Sequence, residues 1–154
     1  MGKAFINSMS ILDYNATMTE TQPLYELLGG EEGVRTLVDR FYDLMDTSPE
    51  AKDVRALHAK SLKQAREKLF MFLSGWSGGP PLYIEKFGHP RLRMRHMPFA
   101  IASRERDQWL WCMNRAVDAG NYHPAVVEHL KQRFSEIADF MRNQDETQGP
   151  LLKL

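Results

Sequence analysis

Apolar residues recur at helical spacing in four places along this chain. From Val34 they fall at Leu37, Val38, Phe41, Tyr42 and Met45, one face of a helix, and Gly29-Gly30 marks its approach. A second stripe runs Leu62, Ala65, Leu69, Phe72, Leu73 and Trp76 before GWSGGPP stops it with glycines and prolines. Ser103 is placed to cap a third helix whose inward positions are Trp109, Met113, Ala116, Val117 and Gly120. Pro124, whose missing N–H costs nothing in a first turn, opens a fourth carrying Val126, Val127, Leu130, Phe134, Ile137 and Met141. No segment alternates with period two, so the pattern predicts an all-α domain of four substantial helices with short helical pieces between them. The flanks lack that order: residues 1–22 read as an N-terminal extension and residues 143–154 as a tail, leaving a domain at 23–142.

Bulk properties narrow the function without naming it. A chain of 154 residues is one domain long and buries about 68–70% of the surface its unfolded form exposes, enough to enclose a pocket. Lys and Arg number 20 and so do Asp and Glu, so the overall charge recruits neither nucleic acid nor an anionic membrane. Cys112 is the only cysteine and cannot form an internal disulfide. With no secretory segment and no apolar run near the roughly 20 residues that span a bilayer, the expectation is a cytoplasmic protein, monomer or homodimer. A helical module that only folds or docks a partner satisfies all of this, because fold does not specify function.

Residues 86–96 change the picture. Pro98 disfavours helical backbone at Met97, so a helix through RLRMR ends at about His96. Leu92 lies one turn earlier on the same face, so the imidazole projects from an apolar stripe and not from the arginines. A helix end leaves carbonyls without intrahelical partners, and Pro98 has no N–H for that of Met94. A nearby carbonyl that takes the proton of one ring nitrogen leaves the other as a metal donor. Lys86, Arg91, Arg93 and Arg95 stand there with no acidic residue among them, a local formal charge of about +4 in a neutral chain. Each feature has an ordinary reading alone: His96 as a packed or capping histidine, the arginines as a solvated face. Together they describe a partner with a metal at its centre, an apolar body and an anionic edge, which is the description of haem.

The segments LYELLGGEEGVRTLVDRFYDLM, SGGPPLY, GHPRLRMRHMPF and RDQWLWCMNRAVD resemble the truncated haemoglobins, specifically group II, over about residues 23–142. That resemblance implies a shortened globin, a two-over-two helical sandwich enclosing haem b, with the glycine pairs as hinges. It makes His96 the proximal iron ligand. On the ligand-binding side it implies Tyr42, His58 and Trp109, with Ala65 and Leu69 lining the distal helix and Ala65 standing where ordinary globins carry a distal histidine. Lys68, Tyr83, Arg91 and Arg95 are implied to hold the propionates, and Phe72 and Phe99 to contact the macrocycle. His58 stands where many relatives carry tyrosine or phenylalanine.

The function expected from these residues is reversible binding of dioxygen and other diatomic ligands, NO and CO, for oxygen- or NO-related chemistry or sensing. Tyr42 and Trp109 are suitable donors to the partial negative charge on bound dioxygen, although aromatics at this spacing also serve as plain core. Four roles are open to His58: donating to the ligand, anchoring a water, binding the iron, or covering the pocket. His89 either lies near the propionates or stabilises the turn before Pro90, and His123 and His129 read as surface residues. The alternative is an enzyme, oxidising nitric oxide with dioxygen or reducing peroxide. No G-x-G-x-x-G occurs, so electrons would come from an external reductase. A haem-free interaction module is the third reading.

Overall fold

The computed structural model describes residues 22–145. The N-terminal extension up to residue 21, and the tail from residue 146, lie outside the described residues. Among the described residues eight helices follow in order: α1 Leu24–Leu27, α2 Gly30–Thr47, α3 Lys52–Ala56, α4 Lys63–Trp76, α5 Leu82–Phe87, α6 Leu92–His96, α7 Ser103–Asp118 and α8 Pro124–Phe140, with a 3-10 turn at Pro49–Ala51. No strand occurs among the described residues. α2 packs on α4, α7 packs on α8, and α2 lies across α7, which makes the two-over-two sandwich.

α2 is the keel. Gly29 precedes it with φ 101°, a left-handed conformation that a side chain resists, and Glu31 and Glu32 in the first turn suit the positive end of the helix dipole. Gly33 lets the helix close on α1, since a Cβ there would collide with the Leu28 carbonyl oxygen. Val34, Leu37, Val38, Phe41, Tyr42 and Met45 are all buried, as their spacing predicts. α4 differs from its expected face. Phe70, Met71, Leu73 and Ser74 are buried, whereas Ala65, Leu69, Phe72 and Trp76 form a second stripe that the protein covers only in part.

Three helix ends depart from the sequence reading. Ser103 is the first residue of α7, so the N-cap position falls on Ala102, whose N–H is accepted at 3.0 Å by the carboxylate of Glu105, 6% exposed. α7 stops at Asp118, so Gly120 is not an inward helical position but a close approach, where a Cβ would run into the Tyr122 ring. His123 is not a plain surface residue: its Nδ1 accepts the Ala125 N–H at 3.0 Å and caps α8, and His129 is half-buried.

Candidate functional site

α6 ends at His96, where Pro98 predicts it. His96 Nδ1 lies 2.6 Å from the Leu92 carbonyl oxygen one turn back. A carbonyl only accepts, so Nδ1 carries the proton and Nε2 keeps its lone pair. The carbonyl of Met94 is not the free group the sequence suggests. The last turn tightens, and Met94 accepts the Met97 N–H at 3.3 Å. Within three residues of His96 in the chain, Met94, Met97 and Phe99 are exposed at 56, 54 and 43%.

Lys86, Arg91, Arg93 and Arg95 form no ion pair among the described residues, so their charge is uncompensated. Their directions differ. Arg95 Nη2 reaches the carbonyls of Phe87 and His89 at 3.3 and 3.4 Å, and its guanidinium lies 5.7 Å from the Tyr83 ring. Arg91 is held left-handed at φ 44°, its N–H donating to His89 Nδ1 at 3.1 Å, which gives His89 the turn-stabilising role. Arg93 turns away and donates to the carbonyls of Arg142 and Phe140 at 2.9 and 3.3 Å. Lys68, Phe72, Tyr83 and Arg95 are brought together around Phe87. Lys68 Nζ is 5.7 Å from the Phe87 ring, Tyr83 4.9 Å from Phe87, and Phe72 6.4 Å from Tyr83. Nothing in the spacing singled out Phe87.

A second group of predicted residues is joined by edge contacts between rings. His58 lies 5.8 Å from Tyr42, Tyr42 4.8 Å from Phe41, Phe41 5.0 Å from Trp109 and Trp109 6.0 Å from Phe134. Tyr42 is 5% exposed, and burial raises its pKa well above the ordinary phenol value, partly opposed by Arg66, so it stays an O–H donor. Neither that hydroxyl nor the Trp109 indole N–H has a hydrogen-bond partner among the described residues.

His58 repeats the logic of His96. Its Nδ1 lies 2.9 Å from the Val54 carbonyl, so Nε2 is the bare nitrogen. Burial pushes its pKa below the usual histidine value despite that bond, and the charge of Arg55 adds to the lowering. The neutral ring therefore presents a lone pair, and donating through Nε2 would need a second proton that burial opposes. The loop carrying His58 is held by Gln108, which sequence reasoning missed because a polar residue beside Trp109 reads as solvent face. Gln108 Oε1 accepts the N–H groups of Asp53 and Val54 at 2.9 and 3.0 Å, and its Nε2 donates to Asp53 at 2.7 Å.

No group of three His, Cys, Asp or Glu able to hold a metal ion occurs among the described residues. A metal at His96 would therefore take its remaining ligands from a cofactor. Haem fits this donor set: one imidazole lone pair for iron, exposed methionines and Phe99 for a flat apolar body, and unpaired cations for carboxylates.

The family model described as bacterial-like globin matches residues 23–143. Over 124 residues the chain is 39% identical to a group 2 truncated hemoglobin of Bacillus subtilis (strain 168), spanning 80% of this chain and 91% of that protein. The fold matches a cold-adapted truncated hemoglobin of the Antarctic marine bacterium Pseudoalteromonas haloplanktis with TM-score 0.78 and 47% identity, over 80% of this chain and 99% of that one. It matches a group II 2-on-2 hemoglobin of Agrobacterium tumefaciens with TM-score 0.79 and 44% identity, over 82% and 98%. The four-helix sandwich, the family model, the relative and the solved structures lead to one assignment: the chain belongs to the bacterial-like globins, among the group II truncated haemoglobins.

Proposed function

We propose that this globin binds haem b through His96 and reversibly binds dioxygen and other diatomic ligands, NO and CO. When bound, haem b supplies the iron at which such gases are held. The observation that carries the reading is the Nδ1–H bond of His96 to the Leu92 carbonyl, which leaves Nε2 free and fixes the ring's orientation.

The other residues have distinct tasks in this reading. Lys68, Tyr83, Arg91 and Arg95 hold the propionates, Arg91 with its uncommitted guanidinium and Arg95 from its seat on Tyr83. Ala65, Leu69, Phe72 and Phe99 supply apolar wall, which accounts for a stripe of α4 that the protein itself covers only in part. Tyr42 and Trp109 present uncommitted O–H and N–H donors, and such donors favour a ligand that gains negative charge. His58, neutral with Nε2 bare, accepts a hydrogen bond and limits access beside Tyr42.

Titration of the purified haem-free chain with haemin tests the proposal. A Soret band saturating at about one haem per chain, with quenching of tryptophan fluorescence, is expected. A titration with no saturation point would contradict it.

A further inference from the structure

Residues 97–102, between α6 and α7, form no regular secondary structure, so their backbone groups need partners from elsewhere. Asn143, three residues beyond the end of α8 and the first residue of the segment read as tail, supplies them. Its Nδ2 donates to the carbonyls of Phe99 at 2.8 Å and His96 at 3.2 Å. Its Oδ1 accepts the Ile101 N–H at 2.9 Å, and its own N–H donates to the Ile101 carbonyl at 2.9 Å. Only an amide side chain offers two donors and an acceptor in one plane. The His96 carbonyl also accepts the Phe99 N–H at 3.0 Å, so it is held from two sides. Arg93 makes a strap in the opposite direction, from α6 to the carbonyls of Phe140, the last residue of α8, and of Arg142 just beyond it.

We propose that Asn143 is a positioning residue for His96. By fixing the His96 carbonyl and the turn after it against the end of α8, with Arg93 anchoring the turn before it, Asn143 determines where Nε2 points. A ring tied only to Leu92 moves with its own helix; the strap references that helix to the sandwich. The inference rests on the reading of His96 as the iron ligand.

Three variants of the full chain test it: Asn143→Ala, Asn143→Asp and Gln144→Ala. Asp keeps an acceptor for the Ile101 N–H but loses both donors, while Gln144→Ala keeps the Gln144 N–H bond to the Ile101 carbonyl at 3.1 Å and gives up only the long 3.4 Å bond from its side chain to Asn143 Oδ1. In the ferrous, ligand-free holoprotein the iron–histidine stretching band should shift or broaden in both Asn143 variants. Haem transfer to an acceptor apoglobin should quicken about 3- to 10-fold, the scale of one or two lost hydrogen bonds. Gln144→Ala should match wild type. In the haem-free chain the Phe99 amide should exchange faster in both Asn143 variants. An unchanged stretching band with unchanged haem release would overturn the proposal. So would loss of the whole fold in both variants, which would make Asn143 a general stability residue. A wild-type chain that takes up no haem would defeat the reading of His96 instead; amide exchange then judges the strap alone, and unchanged exchange at Phe99 would overturn it.

Discussion

Tyr42 shows how little of a residue's role its burial conveys. At 5% exposure it belongs to the core of α2, yet its hydroxyl is uncommitted among the described residues. Tyr42→Phe leaves the packing in place and removes one donor, so dioxygen release measured by stopped flow should quicken about 10- to 150-fold, the effect of a charge-assisted hydrogen bond. Trp109→Phe should act in the same direction. Because Phe41 touches both rings, the double variant should fall short of the product of the single effects. His58 predicts a pH dependence. Its pKa is depressed in the folded chain, chiefly by burial, while the unfolded chain keeps the ordinary histidine value of about 6.5. Above that pH the ring is neutral in both states; as pH falls below it the unfolded chain takes up the proton first, and stability declines. Urea midpoints of the haem-free chain between about pH 7.5 and pH 5 should therefore fall more steeply in wild type than in His58→Ala. Equal slopes would show that the ring is not held neutral.

The long helices were legible in the sequence because burial of one face imposes a period, and α2 is the clearest instance. α4 was legible only in part. Its stripe of Ala65, Leu69, Phe72 and Trp76 reads as core, but Phe70, Met71 and Leu73 are the residues most deeply buried. A period reports that a face is apolar, not whether protein or ligand covers it. Helix ends were harder still, since Glu105 in place of Ser103 and His123 before α8 act through single hydrogen bonds that leave no periodic trace. Gln108 and Asn143 were invisible for the same reason: each makes long-range bonds to backbone groups, and a polar residue in the sequence does not show which distant groups it meets. Gln108→Ala should free the Asp53 and Val54 amides at the start of α3, lowering stability by about 1–2 kcal/mol in urea and speeding exchange at those two amides. If exchange there is unchanged, another group holds the loop of His58.

Across the whole molecule, zero net charge conceals a local concentration. The acidic residues are spent elsewhere: Asp39 and Asp43 hold Arg66 of α4 to α2, and Asp139, its carboxyl kept below the usual range by Arg106 and Arg142, links the end of α8 to the start of α7. The edge near His96 is thereby left cationic, and the rest of the chain carries the compensating negative charge. Reversing that edge with Arg91→Glu and Arg95→Glu should speed haem release by up to about fivefold at low salt, the scale of exposed ion pairs. The difference should shrink toward wild type near 1 M salt, where screening extends only about 3 Å. An effect independent of salt would assign these arginines a packing role.

The ferrous, ligand-free absorption spectrum of His96→Ala, recorded with and without added imidazole, bears most directly on the central claim. The account predicts loss of the five-coordinate histidine-ligated spectrum in the variant and its return when imidazole enters the space left by the ring. A variant whose spectrum equals that of wild type, with imidazole changing nothing, would contradict it.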